Sequence, residues 1–115
     1  MESSRPSTSH RVVFVNDHGQ ALAVPGVLVV KQGDEIAFQS VDVGPISLVF
    51  PSGVLTHKEG GGPAMEHHLE EHASASFIAL LDKHRNPGMF SYVAYCRGLD
   101  GAAVGGSQPR IIIYQ

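Results

Sequence analysis

The sequence predicts an all-β fold, a Greek-key β-sandwich within a single domain. Short apolar runs recur along the chain, several of them alternate apolar and polar residues, and turn-forming residues separate them. The 13 glycines and 7 prolines among 115 residues supply much of this punctuation. Strands of this length and spacing are typical of two packed sheets. Residues 1–9, rich in Ser, Thr and Pro, are expected to form a flexible arm, and residues 10–115 the domain.

Eight segments carry the strand signal. Strands are expected at 11–15, 20–24, 26–31, 35–40, 46–50, 74–81, 90–96 and 110–114. Gln32-Gly33-Asp34 gives a hairpin-like turn signal, and Asn86-Pro87-Gly88 a second turn. The last strand, RIIIY, is apolar without alternation, which is expected where both faces of a strand are covered. Residues 53–64 and 98–106 are glycine-rich and are expected to be loops.

The segment from 64 to 72 predicts one or two turns of helix. Met65, Leu69 and Ala73 recur every four residues, which suits one face of a helix. The alternation of Ala75, Phe77 and the following apolar residues then indicates a strand. The expected fold is therefore a sandwich with one short helix.

Composition excludes two classes of function. The net charge is −3 and the lysines and arginines are scattered, so no basic stripe for nucleic acid exists. No apolar stretch approaches the roughly 18–20 residues of a membrane span. The polar start MESSRPSTSHR lacks the apolar core of a signal peptide. A cytoplasmic location is expected, or an exported one if a native signal peptide is missing from this sequence.

The stretch from Val27 to Phe50 resembles cupredoxins. It has an apolar strand, a Gly-Asp turn, a second strand with an aromatic residue, and then a set of positions at the spacings of that family. These positions are Phe38, Ser40, Asp42, Ile46 and Phe50. The later pattern of Gly88, Phe90, Tyr92 and Cys96 resembles the strand that leads to the family's copper cysteine, and RIIIY resembles its last strand. The resemblance covers residues 26–114 and implies a cupredoxin-like sandwich.

The copper ligands of that family are missing from this pattern. A blue-copper site uses two histidines, one cysteine and a weak axial ligand such as Met. Ile46 occupies the position of the first histidine, and the chain has no His or Met after Cys96. Cys96 also lies eight residues after Gly88, where the family's spacing is about six. The sequence is therefore interpreted as a cupredoxin-like domain without the type 1 copper site, and electron transfer does not follow from the fold.

One motif suggests zinc chemistry. His68-Leu69-Glu70-Glu71-His72 matches H-x-x-E-H, the zinc motif of inverted zinc proteases. On a helix, His68 and His72 would lie one turn apart and share a metal ion. A protease also needs a third ligand and a substrate cleft, for which a domain of 115 residues offers little room. No catalytic residues are therefore assigned, and the protein is expected not to be an enzyme.

A looser metal site is the second hypothesis. His57, His67, His68 and His72 are the candidate ligands, with His84 and the carboxylates of residues 66, 70 and 71 nearby in sequence. Imidazole with carboxylate suits zinc or copper(II). The alternative is a solvated surface with incidental metal affinity, and His67 and His68, as neighbours, would point apart.

Cys96, the one cysteine of the chain, allows two interpretations. Arg97 would lower the pKa of a nucleophilic Cys96, but a buried strand cysteine is the favoured interpretation.

The leading functional hypothesis is a non-enzymatic binding or interaction domain without a cofactor, with a protein partner or a second copy of the chain. The alternatives are a zinc- or copper-binding protein that uses the histidines of 57–72, and a copper electron carrier with altered ligands.

Overall fold

A computed structural model describes residues 8–59, 61–80, 88–106 and 108–115. In these ranges the regular structure consists of twelve β-strands, without a helix. The strands are β1 Ser9–Asp17, β2 Gln20–Val24, β3 Val27–Lys31, β4 Glu35–Ser40, β5 Ile46–Val49, β6 Leu55–His57, β7 Glu66–Leu69, β8 Ser74–Ala79, β9 Gly88–Ser91, β10 Val93–Cys96, β11 Gly101–Ala102 and β12 Arg110–Tyr114. The described residues contain no helical segment that could cross a membrane.

The strands form a β-sandwich, as predicted. The first sheet has the order β2-β1-β4-β8-β6. The second sheet consists of two parts, β3-β12-β9 and β11-β10-β5-β7, which adjoin because β9 and β10 are consecutive pieces of one segment interrupted at Tyr92. Two parallel pairs, β1 with β4 and β3 with β12, link strands that are distant in sequence. β6 and β7 therefore lie at the ends of the two sheets.

The core between the sheets is built on aromatic rings. Phe38 on β4 lies at its centre and is fully buried. Its ring contacts four others, at centroid distances of 6.2 Å to Phe14, 5.4 Å to Phe50, 5.7 Å to Phe77 and 5.5 Å to Tyr92. Tilted and edge-to-face pairs of this kind add stability beyond the area they bury. The two sheets are thus held together by one continuous aromatic cluster.

The predicted helix at 64–72 is wrong, because β7 occupies residues 66–69. The four-residue repeat that suggested a helix coincides with a two-residue alternation: Glu66 and His68 are exposed, His67 is half-buried and Leu69 is buried. A strand in this position pairs its backbone with β5, which a helix cannot do. Two short strands, β6 and β11, also lie within the segments expected to be glycine-rich loops.

Asp34 shows how the turn between β3 and β4 is fixed. Gly33 adopts a positive φ of 92°, as the turn signal requires, but β3 and β4 belong to different sheets, so the turn does not form a hairpin. The Asp34 carboxylate accepts hydrogen bonds from the backbone N–H groups of Thr8 and Lys31 and from Nε2 of His10 at 2.9 Å. Burial raises the pKa of Asp34, but these hydrogen bonds outweigh it and lower the pKa overall.

The N-terminal segment is held by the same turn. β1 begins at Ser9, and the Glu35 N–H donates to the Thr8 carbonyl at 3.0 Å. The rest of the predicted arm lies outside the described residues. So do Leu81, at the end of the strand expected at 74–81, and the Asn86-Pro87 part of the second predicted turn.

Candidate functional site

The end of the sandwich that would correspond to a copper site is filled by apolar side chains. Cys96 on β10 lies directly opposite Ile46 on β5, and Leu69 on β7 lies opposite Ile46 on the other side. Ile46 and Cys96 are fully buried, and Leu69 is 2% exposed. The Ser40 hydroxyl donates to the Gly44 carbonyl at 2.7 Å and fixes the turn that leads to Ile46. The sequence spacing left open whether Cys96 corresponds to the copper cysteine of cupredoxins. The strand register places Cys96 beside Ile46, the position of that family's first histidine ligand.

The Cys96 thiol is in a neutral, unreactive environment. It faces the carbonyl of Ala94 at 3.6 Å, a weak hydrogen bond along its own strand. Burial raises the pKa of Cys96 to about 11, because the thiolate would have to exist without water. A thiolate is needed both for nucleophilic attack and for metal ligation. Arg97 therefore does not activate this cysteine.

The segment after Cys96 is tied to the turn before β5. The Arg97 N–H donates to the Pro45 carbonyl at 2.9 Å, and the Gly98 N–H donates to the Val43 carbonyl at 3.0 Å. Residues 97–106 of this segment contain no histidine or methionine. Ile46 has no atom that can bind a metal, so Cys96 is the one side chain of the expected ligand set in this described region. The residues present do not fit a type 1 copper ion.

Two of the four predicted histidine ligands come together elsewhere. His57 on β6 and His67 on β7 extend from different sheets toward the space between them, and their ring centroids are 5.7 Å apart. Both rings rest on Phe77, at 5.3 Å and 5.5 Å. Burial lowers the pKa of His67, and the neighbouring charges of His57 and His68 lower it further. The pair lines a cleft of about 420 Å³ at the open edge of the sandwich.

The other two predicted ligands point elsewhere. His68 faces the opposite side of its strand from His67, and its Nε2 lies 2.8 Å from Glu70 Oε2. His72 is in a turn with a φ of 68°, and its Nε2 lies 3.6 Å from Glu71 Oε2. Since His68 is on a strand, the one-turn spacing that H-x-x-E-H needs on a helix does not form. His84 lies outside the described residues.

No larger ligand group forms in the part of the chain that the structure describes. There, no three side chains of His, Cys, Asp or Glu are grouped so that they could hold a metal ion. The zinc-protease motif of residues 68–72 therefore forms no ligand group there, and of the predicted four-histidine cluster the described structure brings together His57 and His67.

Comparison with solved structures identifies the architecture. Amicyanin from Paracoccus versutus (Thiobacillus versutus) is 12% identical with a TM-score of 0.53, and the match covers 96% of this chain and 85% of that chain. A reduced amicyanin variant is 14% identical with a TM-score of 0.56, covering 96% and 86%. The Cu(I) form of another variant is 14% identical with a TM-score of 0.54, covering 96% and 86%. No protein-family model and no curated protein matches the chain.

The chain has a cupredoxin-like fold. At this level of identity the likeness establishes the fold alone. Among the described residues, this cupredoxin-like domain lacks the type 1 copper ligand set, with Ile46 where the family's first histidine is expected.

A further feature of the cupredoxin-like scaffold is the apolar outer face of its second sheet, which the sequence interpretation missed. Val29, Ile112 and Met89 lie in one cross-strand row of this face. Met89 is 62% exposed and Val29 is 53% exposed, while Ile112 is half-buried. Exposed large side chains on the same sheet are Val27, Val49, Val93, Tyr95 and Tyr114. The continuous apolar run of RIIIY predicts that both faces of β12 are covered, but the outer face is covered only in part: Ile112 is half-buried and Tyr114 is exposed.

Proposed function

We propose that this protein is a non-enzymatic interaction domain, a cupredoxin-like scaffold without blue copper that binds a second copy of itself through the outer face of its second sheet. The observation that carries the proposal is the exposed row of Val29, Ile112 and Met89 and its apolar surroundings. Exposed apolar patches of this kind mark interaction sites more often than chance placement.

The contrast between the two outer faces supports this assignment. On the outer face of the first sheet, Arg11 donates to the Gln39 side chain at 2.7 Å, and Lys58 lies 3.0 Å from the Glu35 carboxylate. These polar pairs suit contact with water. Of the ten large apolar side chains that are exposed among the described residues, seven lie on strands of the second sheet and one, Val24, on a strand of the first. The exposed apolar surface is thus concentrated on the second sheet, which favours that face as the contact surface.

The size of the apolar face agrees with a two-fold contact. The strands of the second sheet have two to five residues each, so at about 3.3 Å of rise per residue and about 4.8 Å between strands this face measures roughly 450 Å². Side chains that project from it increase the accessible area toward the ~800 Å² per partner of a standard interface. An isologous dimer needs one self-complementary patch, and it is the commonest oligomer. A second copy is therefore the occupant that we propose.

Sedimentation equilibrium of Val29→Lys tests the dimer. We expect the wild-type chain to dimerise, and Val29→Lys to weaken dimerisation at least 10-fold because a lysine charge would be buried in an apolar contact. Val24→Lys is the matched control, since Val24 is 47% exposed on β2 of the first sheet. A wild-type chain that stays monomeric, or equal effects of the two substitutions, would overturn the proposal.

The absence of blue copper is supported by the buried Ile46–Cys96 pair. Copper(II) added to the tag-free protein is expected to give no intense blue absorption band, because the Cys96 thiol is neutral and its partner on the adjacent strand is Ile46, not a histidine. Cys96→Ser is expected to leave the copper(II) spectrum unchanged. An intense blue band that disappears in Cys96→Ser would instead favour the alternative function, a copper electron carrier with altered ligands.

The non-enzymatic part of the proposal has its own support. A nucleophile needs a lowered pKa or an adjacent base, and the pKa of Cys96 is raised. The H-x-x-E-H residues lie on a strand and a turn, where His68 and His72 pair with separate glutamates. Neither arrangement supports catalysis.

A further inference from the structure

We propose that His57 and His67 form a two-imidazole site for a divalent transition metal, zinc or copper(II), at the open edge between the two sheets. This site is separate from the position of the family's copper, which lies beside Ile46 and Cys96. It is independent of the proposed dimer, because it lies at the sandwich edge and not on the apolar outer face.

The backbone fixes the two histidines relative to each other. The His57 N–H donates to the Gly62 carbonyl at 2.8 Å, and the Ala64 N–H donates to the Leu55 carbonyl at 3.0 Å. These two hydrogen bonds hold residues 62–64 against β6, just before the chain enters β7. His57 lies opposite Phe77 in the β6–β8 pair, while His67 lies opposite Leu48 in the β5–β7 pair. The two sheets thus each contribute one imidazole to the same edge.

The ring separation suits one shared ion. Two imidazoles bound to a tetrahedral zinc ion at about 2.0–2.1 Å have ring centroids about 5 Å apart. The observed separation is 5.7 Å, so a rotation that closes the pair by less than about 1 Å suffices. Both rings pack on Phe77, which places them on the same side of the cleft. Nitrogen ligands of this type bind zinc, copper(II) and nickel well.

Among the described residues, no hydrogen bond reaches the ring nitrogens of His57 or His67, whereas His68 is held by Glu70 and His72 by Glu71. The cleft around the pair is lined by Glu59 and two serines, and by Lys58, whose charge is paired with the Glu35 carboxylate at 3.0 Å. Two protein ligands leave the remaining coordination positions to water or to a small anion, which makes this an open site.

Calorimetric titration of zinc chloride and of copper(II) chloride into the metal-free, tag-free protein tests the site. We expect one ion per chain, and an affinity at least 10-fold weaker in His57→Phe and in His67→Phe. Phenylalanine keeps the packing on Phe77 while it removes the ring nitrogens. The double variant with His68→Ala and His72→Ala is the control, and its affinity is expected to stay within about two-fold of wild type.

Nuclear magnetic resonance of the histidine ring nitrogens gives a second measurement that does not depend on how a variant folds. Zinc is expected to shift the ring nitrogens of His57 and His67 in the wild-type protein and to leave those of His72 in place. The proposal is overturned if both phenylalanine variants bind zinc as tightly as wild type, or if the His68 and His72 control loses the binding. Dimerisation measured by sedimentation is a separate readout, so failure of the metal site leaves the proposed dimer intact.

Discussion

Replacing Phe38 with alanine is expected to lower the free energy of unfolding by about 3–5 kcal/mol, the usual cost of removing a buried aromatic side chain. Phe38 is fully buried and its ring contacts those of Phe14, Phe50, Phe77 and Tyr92. The cavity left behind would be lined by rings from both sheets, which limits how far the structure can collapse into it. Urea unfolding followed by circular dichroism measures the change.

Met89→Ala is the control for this substitution. Met89 also has a large apolar side chain, but it is 62% exposed, so its removal should change the free energy of unfolding by no more than about 0.5 kcal/mol in the monomer. A loss of less than about 1.5 kcal/mol for Phe38→Ala would mean that the aromatic cluster does not hold the two sheets together.

Gly98→Ala is expected to destabilise the domain by about 2–3 kcal/mol, because the added methyl group overpacks a backbone contact. A Cβ atom at Gly98 would lie 2.7 Å from the Val43 carbonyl oxygen and 3.0 Å from its carbon. Gly98 also donates its N–H to this carbonyl, so relief of the clash would break the hydrogen bond that ties the segment after Cys96 to the turn before β5. Thermal unfolding measures the effect.

Gly62→Ala provides the comparison for Gly98. A Cβ atom at Gly62 meets no other atom within 4 Å, so this substitution should be neutral or slightly stabilising. Equal unfolding temperatures for Gly98→Ala and Gly62→Ala would contradict the tight contact. Increased reactivity of Cys96 toward a thiol reagent in Gly98→Ala would show directly that the segment had moved.

Local sequence was a good guide to most strands. The segments QALAV and EIAFQS coincide with β2 and β4, and RIIIY with β12, because β-branched and aromatic residues there are bounded by turn residues. The strand predicted at 90–96 lies within the pair β9 and β10. The helix predicted at 64–72 is wrong because four-residue and two-residue repeats overlap in this segment, and pairing with β5 decided between them.

The candidate metal ligands were harder to choose from sequence. The sequence offered four histidines between 57 and 72 as metal ligands and no reason to prefer any of them. Alternation along β7 turns His67 toward the inside of the sandwich and its neighbour His68 toward the outside. His57 comes close to His67 because β6 and β7 end different sheets on the same side of the sandwich. No local pattern encodes that proximity.

The sequence by itself determined the all-β class, the cupredoxin-like order of strands and turns, and the absence of histidine from the position of Ile46 and from the segment after Cys96. The all-β class depends on residue type and short-range periodicity, which a sequence states directly, whereas the other two properties follow from the resemblance to cupredoxins. The tertiary structure alone decided that Cys96 lies buried opposite Ile46, that His57 meets His67 over Phe77, and that the outer face of β12 is covered only in part. Each of these depends on the pairing of distant strands, and the free energy of that pairing comes from burial between the sheets.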